Sequence, residues 1–218
     1  MEATIIEKYL GLDIDSHFAD WGKCVDKTVE QANGLWEDWF TGASKLAFLA
    51  TEKDVIKIPF LYERIPNWDD DTFEYKPYHY NYCELEAEIY SKAKDEGLGM
   101  FFAGTEYIGS TKSGVPIYRS ERVNVGYEAC EYRDDRVSED SYKKASRIRS
   151  ERKSYSISVY WLALAYEYYD ENKVNQLVDF VKRERINDLH DGNVGFRDNG
   201  EPVLLDYSGY HEYDEYDN

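Results

Sequence analysis

The stretch that decides the fold is residues 186–209, which read INDLHDGNVGFRDNGEPVLLDYSG. Within it, Asp198-Asn199-Gly200 is a strong signal for a tight turn between two apolar runs. Folding the chain about this turn pairs residues 194–196 with residues 203–205. Asn193 and Asp206 then lie just beyond the two open ends. We therefore expect a short β-hairpin that makes Asn193 and Asp206 neighbours.

The side chains at the open end of this hairpin have the chemistry of metal ligands. A carboxylate and an amide oxygen side by side suit Mg²⁺ that also holds phosphate oxygens. Asp188 precedes Asn193 by five residues on a glycine-containing loop, so it can reach the same place. Each of these residues alone is an ordinary turn residue. Together, flanking one hairpin at these spacings, Asp188, Asn193 and Asp206 indicate a metal and phosphate site.

The motif at residues 188–193, DLHDGN, resembles the catalytic loop of the protein-kinase-like superfamily in its aminoglycoside-phosphotransferase style, D-L-H-x-G-N. Residues 204–209, LLDYSG, look like its metal-binding D-F-G segment. The resemblance implies that ATP is the phosphate donor and that Asp188 is the base or hydroxyl-orienting residue. Asn193 and Asp206 would then hold Mg²⁺.

The resemblance also implies a strand lysine for the phosphates and a helix glutamate that holds this lysine. Val55-Ile56-Lys57 resembles the V-A-I-K strand, so Lys57 fits the lysine. An inward lysine needs a partner, because an unpaired buried charge is costly. The helix expected over residues 84–96 contains Glu86. Core-facing residues come three and four positions after it, on the same side of the helix. Glu84 and Glu88 remain alternatives.

A weaker candidate occupies the place of the glycine-rich phosphate loop. Gly42-Ala43-Ser44-Lys45 departs from G-x-G-x-x-G, with one glycine and one lysine. A tight turn with free backbone N–H groups still caps a phosphate. We therefore expect nucleotide contacts from Gly42, Ser44 and Lys45.

The order of elements predicts an α+β protein. A hairpin over residues 46–59, a helix, and strands over 101–108 and 115–125 precede two helices and the late hairpin, while residues 63–81 are loop-like. With the resemblance, this order implies a bilobal protein-kinase-like fold, with a small antiparallel-sheet N-lobe and a mostly helical C-lobe. The expected boundaries are a helical N-terminal extension at 1–41, the N-lobe at 42–125 and the C-lobe at 126–218.

Composition excludes several classes of protein. The 218 residues carry 26 Lys and Arg against 44 Asp and Glu, a net charge of −18, so a nucleic-acid partner is unlikely on charge grounds. No apolar run is long enough for a membrane span. Three widely spaced cysteines suit a reducing, cytoplasmic environment. The basic segment 143–153, KKASRIRSERK, is more typical of a solvated helix face than of a docking patch.

The sequence departs from the family at two places. Ile186 stands where the family has the histidine that begins the catalytic loop. The sequence also ends shortly after Gly209, so we expect a truncated C-lobe without peptide-binding helices. These departures favour a catalytically silent kinase-like scaffold that binds and inhibits or recruits a protein partner. The complete set of Lys57, Asp188, Asn193 and Asp206 favours a phosphotransferase acting on a protein or small-molecule hydroxyl.

Small kinase-like chains of this kind resemble hypothetical proteins of phages and bacteria. The resemblance implies a host-directed role, with a protein partner, as one possibility.

Overall fold

The computed structural model describes residues 4–19, 22–67, 72–125 and 136–209. The chain divides into two compact units, one formed by Met1–Ala87 with Thr105–Arg122 and the other by Glu88–Gly104 with Val123–Asn218. Each unit has its own apolar core. Helices and an antiparallel sheet occur together, so the α+β class is confirmed. Among the described residues, none of the helices is long and apolar enough to cross a membrane.

The first unit is built on a five-stranded antiparallel sheet. Its strands are β1 (Asp38–Thr41), β2 (Lys45–Leu49), β3 (Asp54–Pro59), β6 (Thr105–Ser110) and β7 (Pro116–Glu121). Their order across the sheet is β1-β2-β3-β7-β6. The β2–β3 hairpin expected from the sequence is present, with Leu46 opposite Ile58 and Phe48 opposite Ile56. These four apolar side chains are buried, which fixes one face of the sheet against the core.

Helices α1 (Ile5–Leu10) and α2 (Gly22–Gln31) belong to the same unit. Their apolar residues join the core on which β2 and β3 pack, including Tyr9 and Val25. The sequence pattern extended this helical segment to residue 40, but residues 38–41 form β1. The reason is pairing, because Trp39 lies opposite Phe48 and Phe40 opposite Ala47 in an antiparallel ladder.

Residues 63–81 are not the loop that the sequence suggested. They contain most of a second, two-stranded sheet made by β4 (Tyr62–Asn67) and β5 (Thr72–Pro77). The two prolines misled the prediction, since proline removes a backbone donor. Both strands of a two-stranded sheet are edge strands, on which proline is tolerated.

Helix α3 (Tyr82–Asp95) follows and contributes residues to both units. The Asn81 side chain caps its start by accepting from the N–H groups of Cys83, at 3.1 Å, and Glu84, at 3.2 Å. Gly97 ends it with a φ of +68°, a left-handed conformation that glycine adopts without strain. After α3, residues 99–101 form a short 3₁₀ turn, so strand β6 begins at Thr105 rather than at residue 101.

The second unit is mostly helical, with α4 (Glu139–Arg152), α5 (Val159–Tyr168) and α6 (Glu171–Arg183). The expectation of a buried helix over residues 157–168 is met by α5, whose residues from Tyr160 to Ala165 are all buried. The Ser158 hydroxyl caps the start of α5 by accepting from the Trp161 N–H, 3.2 Å away.

The hairpin predicted from Asp198-Asn199-Gly200 is present as β8 (Val194–Phe196) and β9 (Pro202–Leu204). The second strand lies one residue earlier than expected. Gly200 has a φ of +86°, as the tight turn requires. Gly195 in the middle of β8 faces Val123 and Leu205, and a Cβ built on it would lie 2.4 Å from Val123 Cγ2.

We expect Gly195→Ala to lower the free energy of unfolding by about 1–3 kcal/mol, because the added methyl overpacks the space beside Val123 and Leu205. Urea unfolding followed by circular dichroism measures the change. Gly42→Ala is the matched control, since a Cβ at Gly42 meets nothing within 4 Å and its backbone is not left-handed. Equal stability of the two variants would contradict this account of the hairpin.

Candidate functional site

The first unit contains a buried ionic group that we call the Glu86 cluster: Lys45, Lys57 and Glu86. Lys57 Nζ donates to Glu86 Oε2 at 2.5 Å, and Lys45 Nζ donates to Glu86 Oε1. The Glu86 side chain is 0% exposed, while those of Lys45 and Lys57 are 9% and 11% exposed. Glu84 and Glu88 are exposed, so among the three glutamates that the sequence left open it is Glu86 that holds Lys57.

Strand register explains why two lysines reach one carboxylate. In the β2–β3 hairpin Ala47 lies opposite Lys57, and Lys45 lies two residues before Ala47 on the same face. Side chains at such diagonal positions are within reach of each other when they are long. Both lysines therefore leave the sheet on the face opposite the apolar core and converge on α3.

Two hydroxyl groups extend the cluster. Thr105 Oγ1 donates to Glu86 Oε2 at 3.3 Å and lies 3.0 Å from Ser120 Oγ. The two residues are directly opposite each other on β6 and β7, and both are buried. Sequence reasoning missed them. The signal in the sequence was one polar residue at an inward position on each of two paired strands. A buried polar side chain needs a hydrogen-bond partner, so the two residues could have been expected to pair.

The charge state of Glu86 is set by two opposing effects. Burial raises the pKa of its carboxyl group, but the two neighbouring ammonium groups and their hydrogen bonds outweigh burial and lower the pKa from 4.5 to about 2. Glu86 is therefore ionised at neutral pH. The ionised carboxylate of Glu86 therefore holds the ammonium groups of both lysines in place.

The turn at residues 42–44, where the sequence predicted a phosphate loop, connects β1 and β2. The Gly42 N–H donates to Lys45 O at 3.0 Å, so this amide closes the turn. Ser44 O accepts from the Phe60 N–H at 2.9 Å. Gly42 and Ala43 are exposed, whereas Lys45 already belongs to β2 and is buried. The phosphate contacts expected of Gly42, Ser44 and Lys45 stay predictions.

In the second unit, the residues predicted as catalytic and metal-binding are close to one another. Asn193 Nδ2 donates to the backbone carbonyl of Asp188 at 2.9 Å. Asn193 O accepts from the Leu205 N–H at 2.8 Å, which places the next residue, Asp206, beside Asn193 at the end of the hairpin. The hairpin and the preceding loop thus bring Asp188, Asn193 and Asp206 together.

The backbone at two of these positions is strained. Asp188 has a φ of +62° and Asp206 a φ of +41°, in the left-handed region that non-glycine residues visit rarely. Such conformations cost of order 1–3 kcal/mol each and persist only where the surroundings hold them. Strained backbone clusters at functional sites, and here it affects the two acids to which the resemblance gives roles in phosphate transfer.

His190 supports the same loop, although the sequence gave it no role. Its Nδ1 accepts from the Gly192 N–H at 2.9 Å, so in the neutral ring the proton lies on Nε2. Nε2 is 4.0 Å from Asp188 Oδ1. A Cβ on Gly192 would lie 2.7 Å from His190 Cε1, which explains the glycine. The available signal was a histidine two residues before a glycine in a tight loop.

Hydrogen bonds from Ser158 connect the loop at residues 186–193 to the rest of its unit. The Ser158 N–H donates to Leu189 O at 2.9 Å, and the Ser158 hydroxyl donates to Asp191. Ile186, at the start of this loop, is 2% exposed and part of the apolar core. Packing and backbone pairing therefore hold the loop in place.

A metal site here would have few protein ligands. Within the described ranges, no three His, Cys, Asp or Glu side chains lie close enough together to hold a metal ion. Mg²⁺ commonly takes one or two carboxylates and completes its shell with water and substrate phosphates. Asn193 and Asp206 fit that ligand chemistry as an amide oxygen and a carboxylate.

The basic segment 143–153 lies on α4 and its C-cap, and several of its cations are paired. Lys143 is 2.7 Å from Glu139, Lys144 is 2.9 Å from Glu171, and Arg152 is 3.0 Å from Asp179. These pairs give the helix a solvated surface of mixed charge, as the sequence favoured.

Comparison of the chain with models of protein families, with curated proteins and with solved structures finds no match. Functional roles for these residues therefore rest on their geometry and chemistry.

We expect Glu86→Gln to lower the free energy of unfolding by about 3 kcal/mol or more, because two buried ammonium groups lose their carboxylate. Chemical denaturation at pH 7 measures this loss. Glu88→Gln is the matched control, since Glu88 is exposed on the same helix. If both substitutions have equal effects, Glu86 is not the anchor described here.

The same carboxylate predicts a pH dependence. Because folding lowers the pKa of Glu86 from 4.5 to about 2, its contribution is fully present above pH 4.5 and is lost as the pH falls towards 2. The gap corresponds to about 3 kcal/mol. The stability difference between wild type and Glu86→Gln should therefore shrink between pH 5 and pH 2, as measured by urea unfolding. A difference that does not change with pH would contradict the prediction.

Proposed function

We propose that this chain is an ATP- and Mg²⁺-dependent phosphotransferase of protein-kinase-like type. In this proposal the first unit is the N-lobe and the second unit is the C-lobe of a bilobal fold. The observation that carries the proposal is the buried ion pair between Lys57 and Glu86, with 2.5 Å between Lys57 Nζ and Glu86 Oε2. A strand lysine held by a helix glutamate is what phosphate binding by this superfamily requires.

Stability alone is a poor explanation for this ion pair. Buried pairs contribute little compared with apolar residues of the same size, because desolvation offsets the attraction. A carboxylate that is 0% exposed and contacts two ammonium groups is therefore a costly way to fill space. It does, however, hold an ammonium group in a fixed position, which favours a role in binding the phosphates of a nucleotide.

The loop and hairpin of the second unit supply the remaining roles. Mg²⁺, when bound by Asn193 and Asp206, would neutralise negative charge on the phosphates. The Asp188 carboxylate would accept the proton of the acceptor hydroxyl while the oxygen of that hydroxyl attacks the γ-phosphorus of ATP. The bond between that phosphorus and the bridging oxygen then breaks, and ADP leaves. Such catalysis depends mainly on positioning and charge.

The proposed acceptor is a hydroxyl group of a protein or a small molecule, and the proposed compartment is the reducing cytosol. Cys24 is a free thiol, as a reducing compartment favours. Cys130 lies outside the described residues.

A catalytically silent scaffold is the second candidate. The observation that favours it is Ile186, an apolar core residue where the superfamily has a histidine. A scaffold of this kind would bind nucleotide without transferring phosphate, and it would inhibit or recruit a partner protein, with a phage protein acting on a host target as one case.

Two substitutions separate binding from transfer. We expect Asp206→Asn to abolish the Mg²⁺-dependent part of ATP binding in calorimetry, because a metal ligand is lost.

Asp188→Asn should keep nucleotide binding but lose at least about 100-fold in the rate of phosphate transfer, measured with labelled ATP and a cell lysate. Asp179→Asn on the surface of α6 is the matched control.

Unchanged ATP affinity in Asp206→Asn would overturn the metal role. Transfer by Asp188→Asn at the wild-type rate would overturn the catalytic role. ATP binding without transfer by wild type would favour the scaffold.

A further inference from the structure

The Glu86 cluster contains one lysine more than the proposed function needs. Glu86 has two carboxylate oxygens, and each accepts from a different lysine: Oε1 from Lys45 and Oε2 from Lys57. A lysine and a glutamate already form a complete pair, so the second lysine calls for an explanation. The Lys45 side chain is 9% exposed and lies on an internal strand, so Lys45 is not an ordinary surface lysine.

Phosphate binding explains the second lysine. An ammonium group has three donors, so Lys57 can donate to Glu86 Oε2 and to a phosphate together, but its single positive charge is then shared between two anions. A carboxylate that is 0% exposed and loses its counter-charge is costly, so it would pull Lys57 back or take up a proton. The Thr105 hydroxyl contacts the same oxygen, but a neutral donor cannot replace a charge.

From this geometry we propose that Lys45 is a positioning residue, which keeps Glu86 ionised and in place while Lys57 binds phosphate. Lys45 acts through Glu86 and does not itself contact the nucleotide. The inference rests on the proposed function, because it assumes that Lys57 binds the phosphates. This role of Lys45 differs from the phosphate contact that the sequence predicted from its position after Gly42.

Among the described residues, the side chains that donate to Glu86 come from three strands, and a fourth strand is linked to them through Thr105. They are Lys45 on β2, Lys57 on β3, Thr105 on β6 and, through Thr105, Ser120 on β7. The two lysines are the charged groups in these contacts. Removing Lys45 therefore leaves Lys57 to serve both Glu86 and the phosphates.

The test is a double-mutant cycle in ATP affinity, measured by calorimetry on the full chain. We expect Lys45→Met to weaken ATP binding about 10-fold or more, because Lys57 must then leave a buried carboxylate without its charge partner. In the Glu86→Gln background, the same substitution should change the affinity less than about 2-fold, because no buried charge remains to compete for Lys57. Lys53→Met, an exposed lysine of the same unit, controls for the loss of one positive charge.

Each outcome has a distinct meaning. A loss of affinity in both backgrounds would show that Lys45 contacts phosphate directly, and unchanged affinity in both would make Lys45 a bystander. Either result overturns the inference and leaves the proposed function intact. A wild-type protein that does not bind ATP would overturn the proposed function itself, and the inference with it.

A second measurement covers the case in which Glu86→Gln does not fold. Calorimetry of ATP binding in two buffers with different heats of ionisation reports the protons taken up. Between pH 5 and 6 we expect Lys45→Met to take up more protons than wild type on binding ATP, since an unpaired buried Glu86 is protonated more easily. Equal proton uptake by the two proteins would contradict the inference.

Discussion

The structure of the first unit depends on how one buried carboxylate is kept charged. Glu86 is fully enclosed, and burial alone would raise its pKa. Two ammonium groups reverse that effect. They come from neighbouring strands whose register places both lysines on the face away from the apolar core. The hairpin, the helix and the two buried hydroxyls are therefore constrained by the same ion group.

In the second unit the constraint is conformational. Asp188 and Asp206 both have left-handed backbone. Asn193 donates to the carbonyl of Asp188, and Leu205, the residue before Asp206, donates to the carbonyl of Asn193. Glycine adopts this conformation at the lowest cost, and aspartate adopts it more readily than most other residues. In the proposed function these two positions need carboxylates, which would serve phosphate transfer.

Local patterns in the sequence were enough to predict several of these features. The Asp-Asn-Gly turn predicted the β8–β9 hairpin to within one residue, and alternating β-branched residues predicted the β2–β3 pair. Helical spacing favoured Glu86 over its neighbours, because core-facing residues follow it on the same side. Each inference used residues close together in the chain, where turn chemistry and periodicity act directly.

Features that depend on distant pairing were missed. Local patterns favour helix up to residue 40 and a loop over 63–81, because proline disfavours strands. Pairing with distant partners makes strands of residues 38–41, 62–67 and 72–77. The meeting of Lys45 with Glu86, and of Thr105 with Ser120, depends on strand register and on helix packing, which no local pattern specifies.

The central claim is that the charged groups held in this fold bind a nucleoside triphosphate with Mg²⁺. The most direct measurement is the melting temperature of the wild-type protein against increasing ATP concentration, with and without MgCl₂. A ligand that binds only the folded state raises the melting temperature progressively with its concentration. The account predicts such a rise with ATP and a larger rise when Mg²⁺ is present. A melting temperature that stays constant up to millimolar ATP with Mg²⁺ would contradict it.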